Sequence, residues 1–542
     1  MKSKFTIYLP IILAMVLIAG ILLGYKLKLS SSGNTPLFHM NMGNYNKLND
    51  VVNYIVREYV DSVSKDKLTE DGIKGILDNL DPHSQYISTK EYHEVNDPLL
   101  GNFEGIGIQF RIEKDTIVVI QTIVGGPSEK VGLAAGDRIV FVDDSLVAGV
   151  SIDNRKAMIK LKGKRGTQVK VGIYRRSIPD ILNFIITRDV IPTYSVDIAY
   201  MPTQTIGYIK ISKFSATTYE EFEKAVTKLE NEGMQNLIID LRGNTGGYLK
   251  AAIDISDESL EDGELIVYTA GNNQPKELFN ATSKGRMENK GVVILIDGAS
   301  ASASEIVAGA IQDNDRGLII GRRSFGKGLV QRQLDLLDGS AVRLTIARYY
   351  TPTGRCIQKP YDPDKGFDEY YSESYHRYLN GELEERDSTH FNDSLKYITP
   401  GGKIVYGGGG IMPDIFIPID RGEDFQYYNN LIQKSLIFRF AFEYTDKNRT
   451  DLNQYTDFEN FSKHFKITTV LFNEFIAFGE KNGVTKDFSG IEYSKGKIKT
   501  LLKAYIGRNL FDNEGFYPIY LSIDDAFNEA ISSFSDINDT IN

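Results

Sequence analysis

A short apolar run that leads into a segment of small residues is the feature that most restricts how this chain can fold. Residues 291–297 (GVVILID) are rich in β-branched side chains and predict a buried strand. Residues 304–312 carry apolar side chains at helical spacing, so a helix is expected directly afterwards. The alternating alanines and serines in between place Ser302 at a strand-to-helix junction. A helix that begins there offers free backbone N–H groups and a partial positive charge to a developing oxyanion.

Ser302 is a candidate nucleophile because a possible base, Lys327, follows 25 residues later, within residues 326–331 (GKGLVQ). A serine hydroxyl is a poor nucleophile until a nearby base takes its proton, and a lysine that burial keeps neutral can be that base. One helix, one strand and a turn fit between the two residues and can bring their side chains together. Small residues at a turn can also serve close packing alone, but the lysine segment favours the catalytic interpretation.

Two other interpretations of this region fit the sequence less well. Residues 321–327 (GRRSFGK) match the first part of a phosphate-binding loop, but Gly328 stands where that motif needs Ser or Thr for a magnesium ion. The residues that follow predict a strand and not a phosphate-facing helix. No histidine lies between residues 191 and 360, which disfavours a Ser-His-Asp triad in this region.

Six motifs within residues 45–360 resemble, in order, those of the carboxyl-terminal processing peptidases, also called tail-specific proteases. They are residues 80–84 (LDPHS), 103–108 (FEGIGI), 240–247 (DLRGNTGG), 300–305 (SASASE), 324–328 (SFGKG) and 350–355 (YTPTGR). The resemblance implies that Ser302 is the nucleophile, Lys327 the general base and Gln331 the residue that orients the lysine. Thr245 stands where many members of the family carry proline, and we expect no effect of this difference on the chemistry.

The same resemblance implies an α+β multidomain protein with a ClpP/crotonase-like α/β serine protease core at residues 186–420. With 542 residues, the chain is too long for a single core. Residues 31–97 predict a linker and a helical segment, and residues 98–185 resemble a PDZ domain. Polar residues at 362–400 predict a surface insertion in the core. Residues 421–542 carry helical apolar stripes and predict a helical C-terminal domain.

Two groups of backbone N–H donors are expected to bind the substrate. Glycines at the end of a predicted strand can expose N–H groups to an oxyanion, so Gly246 or Gly247 is expected to be one donor and Ala303 the other. In the PDZ-like segment, the loop Gly105, Ile106, Gly107 and Ile108 is expected to hold the C-terminal carboxylate of a peptide, which would join the sheet edge as an added strand. A PDZ domain that binds proteins without any link to catalysis is the alternative.

The N-terminal residues predict the compartment. Residues 5–25 form an apolar run that just suffices to span a membrane, with lysines on both sides. Residues 1–30 therefore predict a membrane anchor. A cleaved signal peptide is the alternative, but no clear cleavage site follows the run, which favours the anchor. We expect a single-pass protein of the bacterial inner membrane whose catalytic body faces the periplasm or the cell exterior.

Composition restricts the partners further. The net charge of −10 argues against nucleic acid as the main partner, and Cys356 is the only cysteine, which excludes an internal disulfide. No cofactor and no metal site are expected. The sequence thus predicts a serine endopeptidase that selects proteins or peptides by their accessible apolar C-termini, and the C-terminal helices could bind a second copy of the chain or an adaptor protein. An inactive PDZ-containing peptide-binding scaffold is the alternative.

Overall fold

The computed structural model describes residues 13–22, 46–176, 178–386, 393–419, 422 and 425–541, with side chains of the last helix described up to residue 534. The chain divides into one unit of residues 1–73 and a second of residues 74–542. All of the sites discussed below lie in the second unit.

The N-terminal part is mainly helical. Its elements are α1 (residues 13–22), α2 (Lys47–Glu58), α3 (Lys65–Leu77), β1 (Gln85–Ile87) and α4 (Tyr92–Leu100). Most of the predicted anchor at residues 1–30 lies outside the described residues, and no helix in the described ranges is long and apolar enough to cross a membrane. The predicted helical segment within residues 31–97 also contains the short strand β1, which pairs with a strand of the protease core.

The PDZ-like segment folds as a small antiparallel sheet closed by a helix. Its elements are β2 (Asn102–Gly105), β3 (Ile108–Ile112), β4 (Ile117–Thr122), α5 (Pro127–Lys130), β5 (Arg138–Val142), β6 (Ser145–Leu146), α6 (Asn154–Leu161), β7 (Gln168–Tyr174), β8 (Leu182–Thr187) and β9 (Asp189–Pro192). The strand order is β3-β4-β5-β7-β8, with β6 beside β5, so β3 is an edge strand. Strands β2 and β9 pair with each other where the chain enters and leaves the domain.

The protease core is built on two sheets. Its elements are β10 (Val196–Tyr200), β11 (Ile206–Ile211), α7 (Thr218–Asn231), β12 (Asn236–Asp240), α8 (Leu249–Asp257), β13 (Leu265–Gly271), β14 (Gln274–Asn280), β15 (Gly291–Ile296), α9 (Ala303–Asp313), β16 (Leu318–Gly321), β17 (Leu329–Asp335) and β18 (Ala341–Tyr350). Strands β11, β12, β15 and β16 are parallel neighbours, and β10 joins β11 antiparallel. The second sheet runs β1-β18-β13-β14, with β17 antiparallel to β18.

The region after the core strands returns to the active segment. It contains α10 (Asp368–Leu379), β19 (Lys396–Ile398), β20 (Ile404–Tyr406) and β21 (Ile415–Phe416), which adds a parallel strand to β16. The prediction of a surface insertion is wrong for α10, because Tyr370 and Arg377 are buried. The Arg377 guanidinium donates to the carbonyl of Ser324 at 2.7 Å, so this helix packs on the segment that leads to Lys327.

The C-terminal region is helical, as the sequence predicts. Its helices are α11 (Gln426–Gln433), α12 (Leu436–Lys447), α13 (Arg449–Leu452), α14 (Phe458–His464), α15 (Thr469–Lys481), α16 (Phe488–Tyr520) and α17 (Asp525–Ile541). Helix α16 bends at Phe511 and Asp512, whose backbone is not helical. The first six helices enclose a core of their own that is rich in phenylalanine and leucine.

Helix α17 belongs to the protease core instead. Successive strand residues point to opposite faces of a sheet, so Ile209 and Ile239 pack with α7–α9 while Tyr208 and Ile238 face the other way. The apolar side chains of α17, including Phe527 and Phe534, cover that second face. The central sheet is therefore buried on both sides, as parallel sheets require, and the expected C-terminal domain at 421–542 ends within the catalytic core.

Candidate active site

Ser302 lies where strand β15 gives way to helix α9, as the sequence predicts, and its backbone there is strained. It occupies the N-cap position of α9 with φ of 55° and ψ of −112°. A non-glycine residue with positive φ outside the left-handed helical well costs free energy and persists only where its surroundings impose it. This geometry is typical of a sharp turn that presents one side chain to a cleft.

The fully buried carboxylate of Glu305 imposes that turn. It accepts hydrogen bonds from the backbone N–H of Ser302 at 2.8 Å, of Gly326 at 2.7 Å and of Lys327 at 2.9 Å, and from the Ser324 hydroxyl at 2.5 Å. Burial raises the pKa of Glu305 to about 7, although these hydrogen bonds oppose the shift. One side chain thus fastens the serine segment to the lysine segment.

Lys327 has the surroundings of a base. Burial, reinforced by the positive charge of Arg343, lowers the pKa of its ammonium, while Asp81 and Glu305 act in the opposite direction. The Lys327 Nζ donates to Gln331 Oε1 at 3.3 Å, and Gln331 Nε2 donates to the backbone carbonyl of His83 at 2.6 Å. The glutamine amide is therefore fixed in the orientation that presents its oxygen to the lysine.

The loop that carries His83 is held to the second sheet by a buried carboxylate. The Asp81 carboxylate accepts hydrogen bonds from the hydroxyls of Ser84 at 2.5 Å and Thr345 at 3.0 Å. It also accepts one from the backbone N–H of His83 at 2.9 Å. The His83 ring contacts the Tyr370 hydroxyl at 2.8 Å, and burial followed by the charge of Lys327 lowers its pKa to about 4. A neutral, hydrogen-bonded His83 thus helps to hold the loop in place.

Ser302, Lys327 and Gln331 open onto one cavity of about 560 Å³. Its wall includes Thr245–Leu249, Ala303, Ile306, Leu329 and Tyr349, so apolar surface lies next to the polar groups. No hydrogen bond joins the Ser302 hydroxyl to the Lys327 ammonium within the described part of the chain. Active-site hydrogen bonds are often long before substrate binds.

The glycines at the end of β12 approach the serine closely. A Cβ at Gly246 would lie 2.7 Å from the Ser302 Cβ, and one at Gly247 would lie 1.9 Å from the carbonyl oxygen of Phe214, so neither position has room for a side chain. The N–H of Gly246 donates to Asn244 Oδ1 at 2.9 Å and is therefore occupied. Across the residues with described positions, the N–H groups of Gly247 and Ala303 have no internal acceptor.

Comparison with known proteins follows the same division of the chain. Residues 205–366 match the model of peptidase family S41, residues 105–182 match a PDZ domain, and residues 427–512 match a family of unknown function. The carboxy-terminal-processing protease of Bartonella bacilliformis is 36% identical over 317 residues, which are 58% of this chain and 72% of that protein. The chain belongs to the carboxy-terminal processing proteases of peptidase family S41.

A second relative agrees with that assignment. The carboxy-terminal processing protease CtpA of Bacillus subtilis is 35% identical over 316 residues, which are 58% of this chain and 67% of that protein. A solved photosystem II D1 C-terminal processing protease is 26% identical, covers 68% of this chain and 86% of its own, and has a TM-score of 0.34. From the family models and the two relatives, the protein is a serine-type peptidase with a PDZ domain. The expected absence of cofactors stays a prediction.

In this S41 peptidase the predicted peptide-binding loop lies between β2 and the edge strand β3. Ile106 is buried, and its carbonyl accepts from the Ser128 hydroxyl at 2.6 Å, which fixes the loop. Over the described residues, no internal acceptor is found for the N–H of Ile106 or Gly107. Gly105, Ile106, Gly107 and Ile108 therefore form a short backbone segment with unused donors beside a free sheet edge.

Sequence reasoning missed two residues that hold the peptidase site together. Glu305 follows Ser302 by three residues, the spacing of a helix capping box, so a signal was present but was not used. Tyr349 is buried, and its hydroxyl lies within hydrogen-bonding distance of the carbonyls of both Ser302, at 3.1 Å, and Lys327, which share its single donor. No local pattern indicated the role of this tyrosine, because both of its partners are backbone atoms.

Proposed function

We propose that this protein is an endopeptidase that cleaves near the C-termini of protein substrates by a Ser302–Lys327 dyad. The observation that carries the proposal is the convergence of Ser302, Lys327 and Gln331 on one cavity, with Glu305 linking the two segments. The inactive scaffold is not favoured, because every side chain that the dyad needs is present.

The proposed reaction starts with proton transfer. Neutral Lys327 takes the proton of the Ser302 hydroxyl, and the oxygen attacks the scissile carbonyl. The N–H groups of Gly247 and Ala303 donate to the oxyanion, since the N–H of Gly246 already has an acceptor. The Lys327 ammonium then protonates the leaving amine. A water molecule hydrolyses the acyl-enzyme after Lys327 has taken a proton from it.

We infer that Gln331 positions the lysine. Its amide oxygen accepts from Nζ while its amide nitrogen is held by the His83 carbonyl, so the lysine side chain is directed along one path. Because the amide is neutral, it orients Nζ without adding a negative charge that would favour the ammonium form.

We infer that the PDZ domain selects substrates by their C-termini. The free edge of β3 accepts a peptide as an added strand, and the loop at Gly105–Ile108 offers N–H groups to the terminal carboxylate. Buried Ile106 and partly buried Ile108 make the neighbouring surface apolar, which suits an apolar last residue.

The proposed location rests on the sequence alone. The apolar run at residues 5–25 supports a membrane anchor, and the catalytic body would face the periplasm or the exterior of a bacterial inner membrane. The binding of a second copy or of an adaptor to the C-terminal helices stays a prediction.

One experiment separates the endopeptidase from the scaffold. Purified protein is incubated with model proteins that end in an apolar tail, in its amidated form or in a charged tail, and the products are mapped by mass spectrometry. We expect cleavage of the free apolar tail and much slower cleavage of the other two. Binding without cleavage would support the scaffold, and equal cleavage of free and amidated tails would refute tail recognition by the PDZ domain.

A further inference from the structure

The cleft contains a second cation that the proposed reaction does not use. Arg343 lies on β18 directly opposite Gln333 of β17, and its side chain lines the same cavity as Ser302 and Lys327. Gln331 and Gln333 are two residues apart on β17 and therefore point to the same face of the strand. Arg343 is thus part of the wall that faces the substrate.

The partners of Arg343 are neutral. Its Nη2 donates to Asn96 Oδ1 at 3.1 Å and to Gln333 Oε1 at 3.0 Å. Among the described side chains, no carboxylate lies within salt-bridge distance of it. Several other arginines of the core pair with carboxylates: Arg242 with Asp240 and Asp524, Arg323 with Glu373 and Glu382, and Arg355 with Asp313. Arg316 and Arg322 have no carboxylate partner among the described residues and donate to backbone carbonyls, but neither of them lines this cavity.

The charge of Arg343 is consequently uncompensated. Burial lowers its pKa, the Tyr248 hydroxyl acts weakly in the opposite direction, and Arg343 in turn lowers the pKa of Lys327. Removing a guanidinium partly from water without an anionic partner costs free energy, and a bound carboxylate would recover it.

A neighbouring donor also lacks a partner. The Asn96 Nδ2 atom is buried and makes no hydrogen bond, since the Asn96 oxygen is the atom turned toward Arg343. Because Asn96 Nδ2 is itself shielded from the cavity, Asn96 holds the guanidinium through its oxygen, and Arg343 presents the remaining donors to the cavity. An excess of donors over acceptors around a cation matches a ligand group that only accepts hydrogen bonds.

We propose that Arg343, positioned by Asn96 and Gln333, forms a carboxylate-binding subsite of the active-site cleft. This inference rests on the proposed peptidase function and adds a substrate preference to it. Residues two apart on a strand are about 7 Å apart, so the carboxylate belongs to a substrate residue within about two positions of the scissile bond. It is either an Asp or Glu side chain or, for a very short tail, the terminal carboxylate itself.

The test compares acidic and neutral peptides of the same size. In a set of fluorogenic peptides, Glu replaces Gln at one position at a time on either side of the cleavage site, each with a free and an amidated C-terminus. We expect kcat/KM to favour Glu over Gln by roughly tenfold or more at one position, the size of a charge-assisted hydrogen bond. A preference for the free over the amidated C-terminus, with no preference for Glu over Gln, would identify the terminal carboxylate as the ligand, and a Glu-over-Gln preference that persists after amidation would identify the side chain.

The decisive variant is Arg343→Gln, and the readout is the ratio of kcat/KM for Glu over Gln peptides. We expect the ratio to fall to near one in Arg343→Gln and to be partly restored in Arg343→Lys. Arg332→Gln is the matched control. It removes the same charge, but Arg332 is exposed on the other face of β17. Its ratio should equal that of the unmodified protein.

Binding measurements keep the test decisive if Arg343→Gln cuts no peptide. Anisotropy titrations of Ser302→Ala and of Ser302→Ala with Arg343→Gln then give the Glu-to-Gln affinity ratio without turnover. A ratio that survives Arg343→Gln, an equal loss for both peptides, or the absence of both a Glu-over-Gln and a free-over-amidated preference would overturn the subsite. Cleavage by Ser302→Ala would instead refute the proposed dyad and leave the affinity ratios valid.

Discussion

The catalytic cleft and the C-terminal helical region are held together by different forces. In the cleft, single polar atoms decide the geometry: Glu305 alone accepts four hydrogen bonds that join the serine and lysine segments. In the C-terminal region, helices α11–α16 pack around a core of aromatic and aliphatic side chains such as Phe461 and Phe475. The cleft therefore depends on individual atoms, whereas the helical region depends on the sum of many contacts.

The C-terminal region reaches the rest of the molecule at two places. At the core, Arg242 donates to both oxygens of Asp524, at 2.8 and 2.9 Å. At the PDZ domain, Asp446 pairs with Arg138 at 3.2 Å, and the Arg111 guanidinium lies 4.3 Å from the ring centre of Phe442. Arg111 and Arg138 lie on β3 and β5, whose Ile112 and Ile139 face the PDZ core, so α12 covers the outer face of that sheet. The helical region thus connects the PDZ domain to the protease core.

The largest effect is expected at the dyad. Ser302→Ala and Lys327→Ala should each lower kcat/KM by about 10⁴-fold or more while the thermal unfolding midpoint changes little. Lys327→Arg should fail as well, because an arginine stays protonated. Since the two residues act as a pair, the double variant should be no worse than either single one. Appreciable cleavage by folded Ser302→Ala would exclude Ser302 as the nucleophile.

The next largest effect is expected at Glu305. Glu305→Gln places an amide nitrogen against donors, so we expect roughly a 100-fold loss of kcat/KM and about 1–3 kcal/mol lower free energy of unfolding. Glu277→Gln, on the exposed strand β14, is the matched control and should change neither quantity. Activity that is unaffected in Glu305→Gln would show that the fastening of the two segments is not needed for catalysis.

The pH dependence should follow Lys327 and Glu305 together. Only neutral Lys327 accepts the serine proton, and its pKa is lowered by burial, so the reactive fraction rises with pH and levels off below the usual range of lysine. Glu305, with a pKa of about 7, becomes protonated in acid and then loses acceptor capacity for its four donors. Both effects predict that kcat/KM, measured between pH 5 and 10, rises from acid through neutral to mildly alkaline pH. A maximum in acid would indicate a different base.

These expectations separate what the sequence could predict from what it could not. Ser302 and Lys327 lie in short motifs next to recognisable strands and a helix, so local pattern was enough to name them, and the family resemblance added Gln331. The His83 partner of Gln331 is a backbone carbonyl, which any residue could supply, and the uncompensated charge of Arg343 depends on which carboxylates are distant in space. Sequence patterns carry no information on either.

Tertiary packing also overrode two domain predictions. The apolar stripe of α17 was visible, but the surface that it covers, the second face of the central sheet, was not. Helix α10 has a polar sequence that suggests solvent exposure, yet Arg377 is buried because carbonyls of the lysine segment accept its hydrogen bonds. Polar residues can be buried wherever they find enough partners, and only the three-dimensional structure shows where those partners are.

A moderate effect is expected where the helical region meets the core. Asp524→Asn removes the charge opposite Arg242 but keeps a side-chain oxygen for the N–H of Phe527. We expect the free energy of unfolding to fall by about 1–3 kcal/mol, because the buried Arg242 loses one of its two carboxylates. Asp525→Asn, on the exposed neighbour, is the control. Identical denaturant midpoints for the two variants would mean that this ion pair does not link the regions.

The smallest effect is expected where the helical region meets the PDZ domain. Asp446→Asn keeps the shape of the side chain and removes the charge that pairs with Arg138 and Arg176, which should cost only about 1 kcal/mol because both arginines retain solvent contact. If this contact serves to place the PDZ domain, cleavage of tailed proteins should fall a few-fold while cleavage of short peptides that bypass the domain stays constant. Asp451→Asn, an exposed position on α13, is the matched control. Equal losses for tailed proteins and short peptides would show instead that the helical region acts on the cleft itself. The helical region would then do more than position the PDZ domain, and the geometry of the cleft would no longer depend on its own polar atoms alone.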